Sequence, residues 1–248
     1  MQQVKFMVIV SVVFITALAT VNEMTRARIE NNFTIELAKE RLYAFDIFPD
    51  DFQSFSLSLT ATTAAIPWKD DQVLDLVQNQ IQTVSIPVND AIENIIVGSF
   101  LEGRQEITIF TQVDTQNDVV AYGLPLVGKG LWGTIEGFGV VTADLQKMKG
   151  VAFTKQVETP GLGARITEEE YKAYFRNLDL GGFHGTVSGS TPVTMVKQKA
   201  KSNLDESTSS VQAITGATQT SQGVLDMINS NLAVYMEIIR VYQAESGA

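Results

Sequence analysis

Phe6 to Val21 is an uncharged run of 16 residues dominated by Val, Ile, Phe, Leu and Ala, and it constrains the chain more than any other feature. Its only polar members are Ser11, Thr16 and Thr20, whose hydroxyls can bond back to a helix carbonyl. As a helix the run spans about 24 Å at ~1.5 Å per residue, somewhat short of a ~30 Å hydrocarbon core, and Val4 and the stem of Lys5 extend it. Two readings fit. One is an uncleaved anchor; the other is a secretory signal with Lys5 as n-region, Phe6 to Thr16 as h-region and Ala17-Leu18-Ala19 as cleavage site. Either sends the chain to a membrane. Charge leaves the orientation close to a tie, because Lys5 lies on one side of the run and Arg26 and Arg28 on the other.

The remainder is large enough for one substantial domain, or two small ones, in a chain of 248 residues that is 45% hydrophobic. A net charge of −10 and the lack of any basic run argue against nucleic acid, since phosphate binding needs clustered Lys and Arg. There is no cysteine, so disulfides, iron–sulfur ligation, thiolate catalysis and Cys-type zinc sites are excluded. With His184 as the single histidine, a multi-histidine metal or haem site is excluded too. Redox chemistry would therefore need a cofactor held by hydroxyls, amides and backbone. His184, between Gly182-Phe183 and Gly185, reads as a loop residue. Asp50-Asp51 and Asp70-Asp71 read as solvated turns, and Glu168-Glu169-Glu170 as a helix first turn favoured by the macrodipole.

Periodicity predicts a helix over Thr25–Leu42, with Ile29, Phe33 and Leu37 at i, i+4 spacing, and no regular element in Phe45–Trp68. Strands are predicted at Ile107–Phe110, Val119–Tyr122, Leu131–Val141 and Met148–Thr154, the last two joined by a turn at Thr142-Ala143-Asp144. A short helix follows at Glu168–Arg176, then a strand at Thr191–Lys199, a polar loop at Ser202–Ser210 and a long helix at Gln219–Gln243. The long helix carries the apolar stripe Val224, Ile228, Leu232, Tyr235 and Ile239, with Thr220 or Ser221 as N-cap. No βαβ alternation occurs, so the fold class is α+β: an N-terminal transmembrane helix (1–24), an N-terminal body with a helix and a partner-docking region (25–120), and a part built on an antiparallel sheet (121–248).

Three segments carry chemistry. Thr215-Gly216-Ala217-Thr218-Gln219-Thr220-Ser221 sets small residues and hydroxyls before a helix start, where free N–H groups and the positive helix end suit a phosphate. Read alone, it is also an ordinary glycine turn followed by a cap. Glu158-Thr159-Pro160-Gly161-Leu162-Gly163 contains Pro-Gly, which favours a type II turn, and two glycines that allow close approach of a flat ligand; alone, it is a plain loop. Gly128-Lys129-Gly130-Leu131-Trp132-Gly133 is a glycine-rich entry to a strand with a Lys and an aromatic. It lacks the spacing of a nucleoside-triphosphate loop.

Together, and in this order, the segments resemble the covalent-FMN-binding domain of the C subunit of the Na⁺-translocating NADH:quinone reductase and the G subunit of the Rnf complex. That family pairs Thr-Pro-Gly-Leu-Gly with a later Ser/Thr-Gly-Ala-Thr, here Thr159–Gly163 and Thr215–Thr218. The resemblance implies FMN esterified through its phosphate to Thr218 by a separate flavin transferase using FAD. Gly216 and Ala217 would keep the approach open, and Thr220 and Ser221 would donate to phosphate oxygens. Thr159, Pro160, Gly161, Leu162 and Gly163 would line the ring, with Lys129, Leu131 and Trp132 nearby. One departure stands out: the family's usual acidic residue six positions before the acceptor is Gln212 here. The resemblance further implies an uncleaved anchor in a bacterial inner membrane, with the N-terminus inside and the flavin domain extracytoplasmic. The implied role is electron transfer within an ion-translocating respiratory complex, as a subunit rather than a complete enzyme. Implied partners are integral membrane subunits, including an iron–sulfur donor and a second flavin-bearing subunit. The competing readings are an independent extracytoplasmic flavin reductase and a structural subunit with a lost flavin site.

Overall fold

The computed structural model describes residues 2–48, 69–180, 193–196 and 210–246. Helix α1 (Gln2–Ala44) joins the apolar run and the predicted Thr25–Leu42 helix into one element, long and apolar enough to cross a membrane. No Pro or Gly interrupts it, so nothing breaks its hydrogen-bond ladder. The hydroxyls of Thr16, Thr20, Thr25 and Thr34 are absorbed by carbonyls one turn earlier, at 2.8 to 2.9 Å. Its side chains stay exposed from the apolar run to Thr34, the half-buried Val10 and Thr25 apart; burial begins at Ile35 and continues at Ala38 and Leu42.

The chain then builds a six-stranded antiparallel meander in sequence order: β1 (Ile81–Pro87), β2 (Glu106–Val113), β3 (Val119–Lys129), β4 (Thr134–Thr142), β5 (Lys147–Lys155) and β6 (Leu178–Asp179). The predicted strands at Ile107–Phe110, Val119–Tyr122 and Met148–Thr154 fall within β2, β3 and β5, whereas Leu131–Val141 starts three residues ahead of β4; the turn at Thr142–Asp144 is present, with Leu145 N donating to Thr142 O at 2.8 Å. Residues 69–105 carry no predicted element, yet they contain α2 (Asp70–Gln80), β1 and α3 (Asp90–Ile96). Asn89 caps α3 by accepting from Ile92 N at 3.0 Å. Asp70-Asp71 is not a turn but the first turn of α2, where the helix dipole favours carboxylates, and Asp70 lies 3.4 Å from Lys39 Nζ. The predicted Glu168–Arg176 helix is split into α4 (Glu169–Lys172) and flanking 3₁₀ turns at Gly163–Thr167 and Ala173–Phe175.

Both faces of the sheet are covered, and the period of two along each strand decides which residue faces which cover. In β3, Ala121 belongs to the cluster with Ile35, Leu42 and Phe45 of α1 and its exit. Tyr122, Leu124 and Leu126 belong to the opposite cluster with α5 (Thr218–Ser246), whose predicted stripe is entirely buried. Two glycines admit the end of α1: a Cβ on Gly123 would lie 2.4 Å from the Phe45 ring, and one on Gly150 would lie 2.7 Å from Ala44 O. Beside this joint, the Tyr43 ring lies between Lys172 Nζ and Arg176 Cζ, at 4.0 and 4.5 Å from its centroid, and its hydroxyl donates to Glu169.

A separate parallel pair is formed by β7 (Thr194–Val196), inside the predicted Thr191–Lys199 strand, and β8 (Ser210–Gln212). Residues 191–192 and 197–199 of that strand, loop residues 202–209, Asp50-Asp51 and His184 lie outside the described residues.

Candidate functional site

The site forms where the ends of β3 and β5 meet the start of α5. After β5 the chain turns sharply at Thr159–Leu162, with Leu162 N and Ala164 N both donating to Thr159 O at 3.1 Å. Gly161 sits at the third turn position with φ +74°, the type II geometry that Pro160-Gly161 predicts. Thr159, Pro160 and Gly161 are exposed, Leu162 is 44% exposed, and Gly163 is buried.

A second turn, Ile214–Ala217, is closed by Ala217 N donating to Ile214 O at 3.0 Å, and Gly216 takes φ +82°. A Cβ on Gly216 would approach Leu162 Cδ2 to 3.2 Å, so the two loops touch here. Helix α5 begins directly afterwards at Thr218, whose side chain is exposed beside the exposed Thr215 and Gly216, while Ala217 is buried. The expected N-cap role of Thr220 or Ser221 is not realised, because the helix starts earlier and both fall in its first turn. Both are 1% exposed. Thr220 Oγ1 donates to Glu158 Oε2 at 2.6 Å. Ser221 Oγ donates to Ala217 O and accepts from Ile214 N, each at 3.0 Å. These two hydroxyls, which the resemblance expects to donate to a phosphate, are engaged within the protein in this structure.

The third segment is a turn rather than a strand entry. Gly128 and Lys129 end β3, Gly130 N donates to Gly133 O at 2.8 Å, and β4 begins only at Thr134. Lys129 is exposed, as are Leu131 at 46% and Trp132 at 68%. Two glycines let α5 cross β3 at close range: a Cβ on Gly128 would lie 2.3 Å from Met227 Cβ, and one on Gly223 would lie 2.3 Å from Lys129 O. Asn231, buried in α5, fixes the crossing. Its amide accepts from Val127 N at 2.9 Å and donates to Val127 O at 3.1 Å. Those groups face the edge of β3 that β2 leaves uncovered after Gly123.

Glu158 ties the three segments together. It is buried, and its Oε1 accepts from Trp132 N at 2.9 Å while Oε2 accepts from Thr220 Oγ1. Sequence reasoning quoted Glu158 as the first residue of its loop but did not place it in the site; the signal available was an acid directly before the Pro-Gly turn. Gln212 lies in β8, where its Oε1 accepts from the Tyr174 hydroxyl at 2.9 Å.

These residues fit a phosphate-linked flavin. An exposed hydroxyl stands at the start of a 29-residue helix, whose first-turn amides have no intrahelical acceptor and favour an anion. The exposed apolar faces of Leu131, Trp132 and Leu162 suit a flat ring.

Fold and site together define an α+β protein with, among the described residues, one helix of membrane-spanning length, and residues 130–233 match the FMN-binding domain family. Its homologues are C subunits of the Na⁺-translocating NADH-quinone reductase and G subunits of ion-translocating oxidoreductase complexes. The C subunit of Chlamydia pneumoniae is 35% identical over 129 residues, covering 49% of this chain and 40% of that protein. The Pseudomonas aeruginosa C subunit is 30% identical over 52% of this chain and 48% of its own length. The G subunit of the Methanosarcina acetivorans complex is 30% identical over 52% of this chain and 58% of its length. The match thus spans about half the length of these relatives. The crystal structure of Shewanella oneidensis NqrC shares the fold with TM-score 0.60 at 20% identity, over 84% of this chain and 97% of that one. A second, the Parabacteroides distasonis C subunit, does so with TM-score 0.51 at 22% identity, over 69% and 84%.

Proposed function

We propose that this chain carries FMN esterified to Thr218 and serves as an electron-transfer subunit of an ion-translocating respiratory oxidoreductase of the quinone-reductase or Rnf type. The observation that supports this reading is the packing of the Thr159–Gly163 and Gly128–Trp132 turns against the first turns of α5, which opens with the exposed Thr218. Attachment forms a bond from Thr218 Oγ to the FMN phosphorus as AMP leaves FAD on the transferase. The bound flavin supplies the redox chemistry. The chain's own part is placement. Thr218 tethers the phosphate at the positive end of α5, Gly216 leaves its approach open, and Leu131, Trp132 and Leu162 offer the ring an apolar surface. Thr159, Pro160, Gly161 and Gly163 shape the turn that presents Leu162, and Lys129 adds a cation at the rim. The α1 helix anchors the domain, which lies on the extracytoplasmic side. Neighbouring membrane subunits supply an iron–sulfur donor and a second flavin as acceptor.

The test is mass spectrometry of the tryptic peptide Ser202–Arg240, which has no internal Lys or Arg, from protein made in its native host. A gain equal to FMN less water, located at Thr218 and absent in Thr218→Val, is the expected result. An unmodified peptide from a host that flavinylates other proteins refutes the covalent reading.

A further inference from the structure

The three segments around Thr218 come from distant parts of the sequence, and none of their mutual contacts involves a strand ladder. One side chain of the first loop hydrogen-bonds to both of the others. Glu158 reaches from the start of its own loop to the β3–β4 turn through Trp132 N, and to the first turn of α5 through Thr220 Oγ1. Space for the carboxylate is reserved on both sides by glycine. A Cβ on Gly130 would lie 2.4 Å from Glu158 Oε1, and a Cβ on Gly163 would lie 2.8 Å from Oε2 and 2.7 Å from Thr220 Oγ1. The backbone of Glu158 is held as well, with its N–H donating to Gln156 Oε1 at 2.6 Å.

A buried carboxylate is an expensive way to join three loops if stability were its only purpose, since its desolvation offsets much of what its hydrogen bonds return. Its bonds are directional, however, and they act on the two segments that present Trp132 and Thr218. We propose that Glu158 is a positioning residue of the flavin site, which assembles the cradle around Thr218 before the cofactor arrives and so governs how fast Thr218 is flavinylated. This rests on the covalent-attachment reading above.

Chemistry separates this role from a general one. Glutamine in place of Glu158 can still accept from Trp132 N through its carbonyl oxygen. Its amide can donate to Thr220, because a threonine hydroxyl both donates and accepts. Alanine can do neither. The experiment uses the full chain in detergent, incubated with the flavin transferase and FAD, with occupancy of the Ser202–Arg240 peptide followed over time by mass spectrometry. Far-UV circular dichroism and melting are recorded on the same unloaded samples.

The expected result is at least a tenfold slower incorporation for Glu158→Ala with the fold retained. Glu158→Gln stays within about threefold of the wild type, and Thr220→Val falls between. Incorporation by Glu158→Ala at the wild-type rate overturns the proposal. Equal slowing of Glu158→Ala and Glu158→Gln overturns it as well, because the charge rather than the tie would then matter. If Glu158→Ala does not fold, Thr220→Val and Gly163→Ala decide, each loosening the tie while leaving Glu158 present; wild-type rates in both refute the role. Failure of the underlying reading is distinct: the wild type itself would remain unmodified, or Thr218→Val would be modified equally.

Discussion

Asn231→Leu isolates the contact that seats helix α5 across the end of β3. The Asn231 side chain is 2% exposed and satisfies both the N–H and the C=O of Val127, which no strand covers on that edge. Leucine has a similar volume and no polar atom, so both backbone groups are stranded. Each stranded group costs ~1–3 kcal/mol, and partial exposure at the β3 edge places both near the lower end. Burial of the extra apolar surface returns ~1 kcal/mol. The net loss is about 1–3 kcal/mol, a sizeable share of the ~5–15 kcal/mol that stabilises a typical domain. The assay is urea denaturation of the full chain in detergent, read at the midpoint with unchanged slope, together with hydrogen exchange at Val127. The Val127 amide, protected in the wild type, should exchange ~5–100-fold faster, in step with the midpoint shift. A stability change below ~0.5 kcal/mol with unaltered Val127 protection would refute the argument that this amide holds the crossing.

Gly123→Ala drives a Cβ to 2.4 Å from the fully buried Phe45 ring and should cost ~1–3 kcal/mol by thermal or urea denaturation, with Phe45→Leu restoring part of it. Gln212→Leu removes the acceptor of the Tyr174 hydroxyl and should slow flavin incorporation in the peptide assay, whereas Gln212→Glu keeps the bond and loads at least as fast as the wild type; equal rates in all three would discard any role for this position. Burial holds the Glu169 carboxyl above its ordinary range, outweighing the attraction of Lys172 and Arg176, with Glu40 adding to the rise. Its contribution is therefore fully present below the unfolded value near ~4.3 and is lost as pH rises through the folded one, so urea midpoints of Glu169→Gln should lack that decline; parallel curves would contradict it. Because the chain has no cysteine, Gln116→Cys in the exposed β2–β3 turn gives a single thiol, which a membrane-impermeant reagent should label in intact cells if the domain is extracytoplasmic.

The parts of the fold legible in the sequence were those governed by period and punctuation. The α5 stripe, the β2–β5 strands and the type II turn at Pro160-Gly161 follow from local rules. Residues 69–105 did not yield to them. There α2 and β1 abut without a breaker between Gln80 and Ile81, and the seven-residue α3 is too short for a helical period to register. Asp70-Asp71 read as a turn because two adjacent acids suit a turn and a helix start equally. At the site, the motif residues were legible while the arrangement was not. That Thr220 and Ser221 point into the protein depends on where α5 starts, two residues earlier than Thr220, and sequence boundaries are seldom that sharp. The role of Glu158 is a long-range contact, spanning 26 residues to Trp132 and 62 to Thr220, and no local pattern encodes it.

The uninterrupted course of α1 makes the domain that carries Thr218 the far end of a lever. Between Val21 and the end of the helix at Ala44 lie 23 residues, about 35 Å at ~1.5 Å per residue; burial begins at Ile35, and Gly150 admits Ala44 at the sheet. With no breaker to act as a pivot, a tilt of about 10° at the membrane carries the domain sideways by ~6 Å, within the range of tilts that spanning helices adopt. On the proposed reading, the reach of the site towards partner subunits is coupled to how they grip the helix ~35 Å away (about 23 residues at ~1.5 Å each). On that reading, lipid thickness and subunit packing act on the electron-transfer distance.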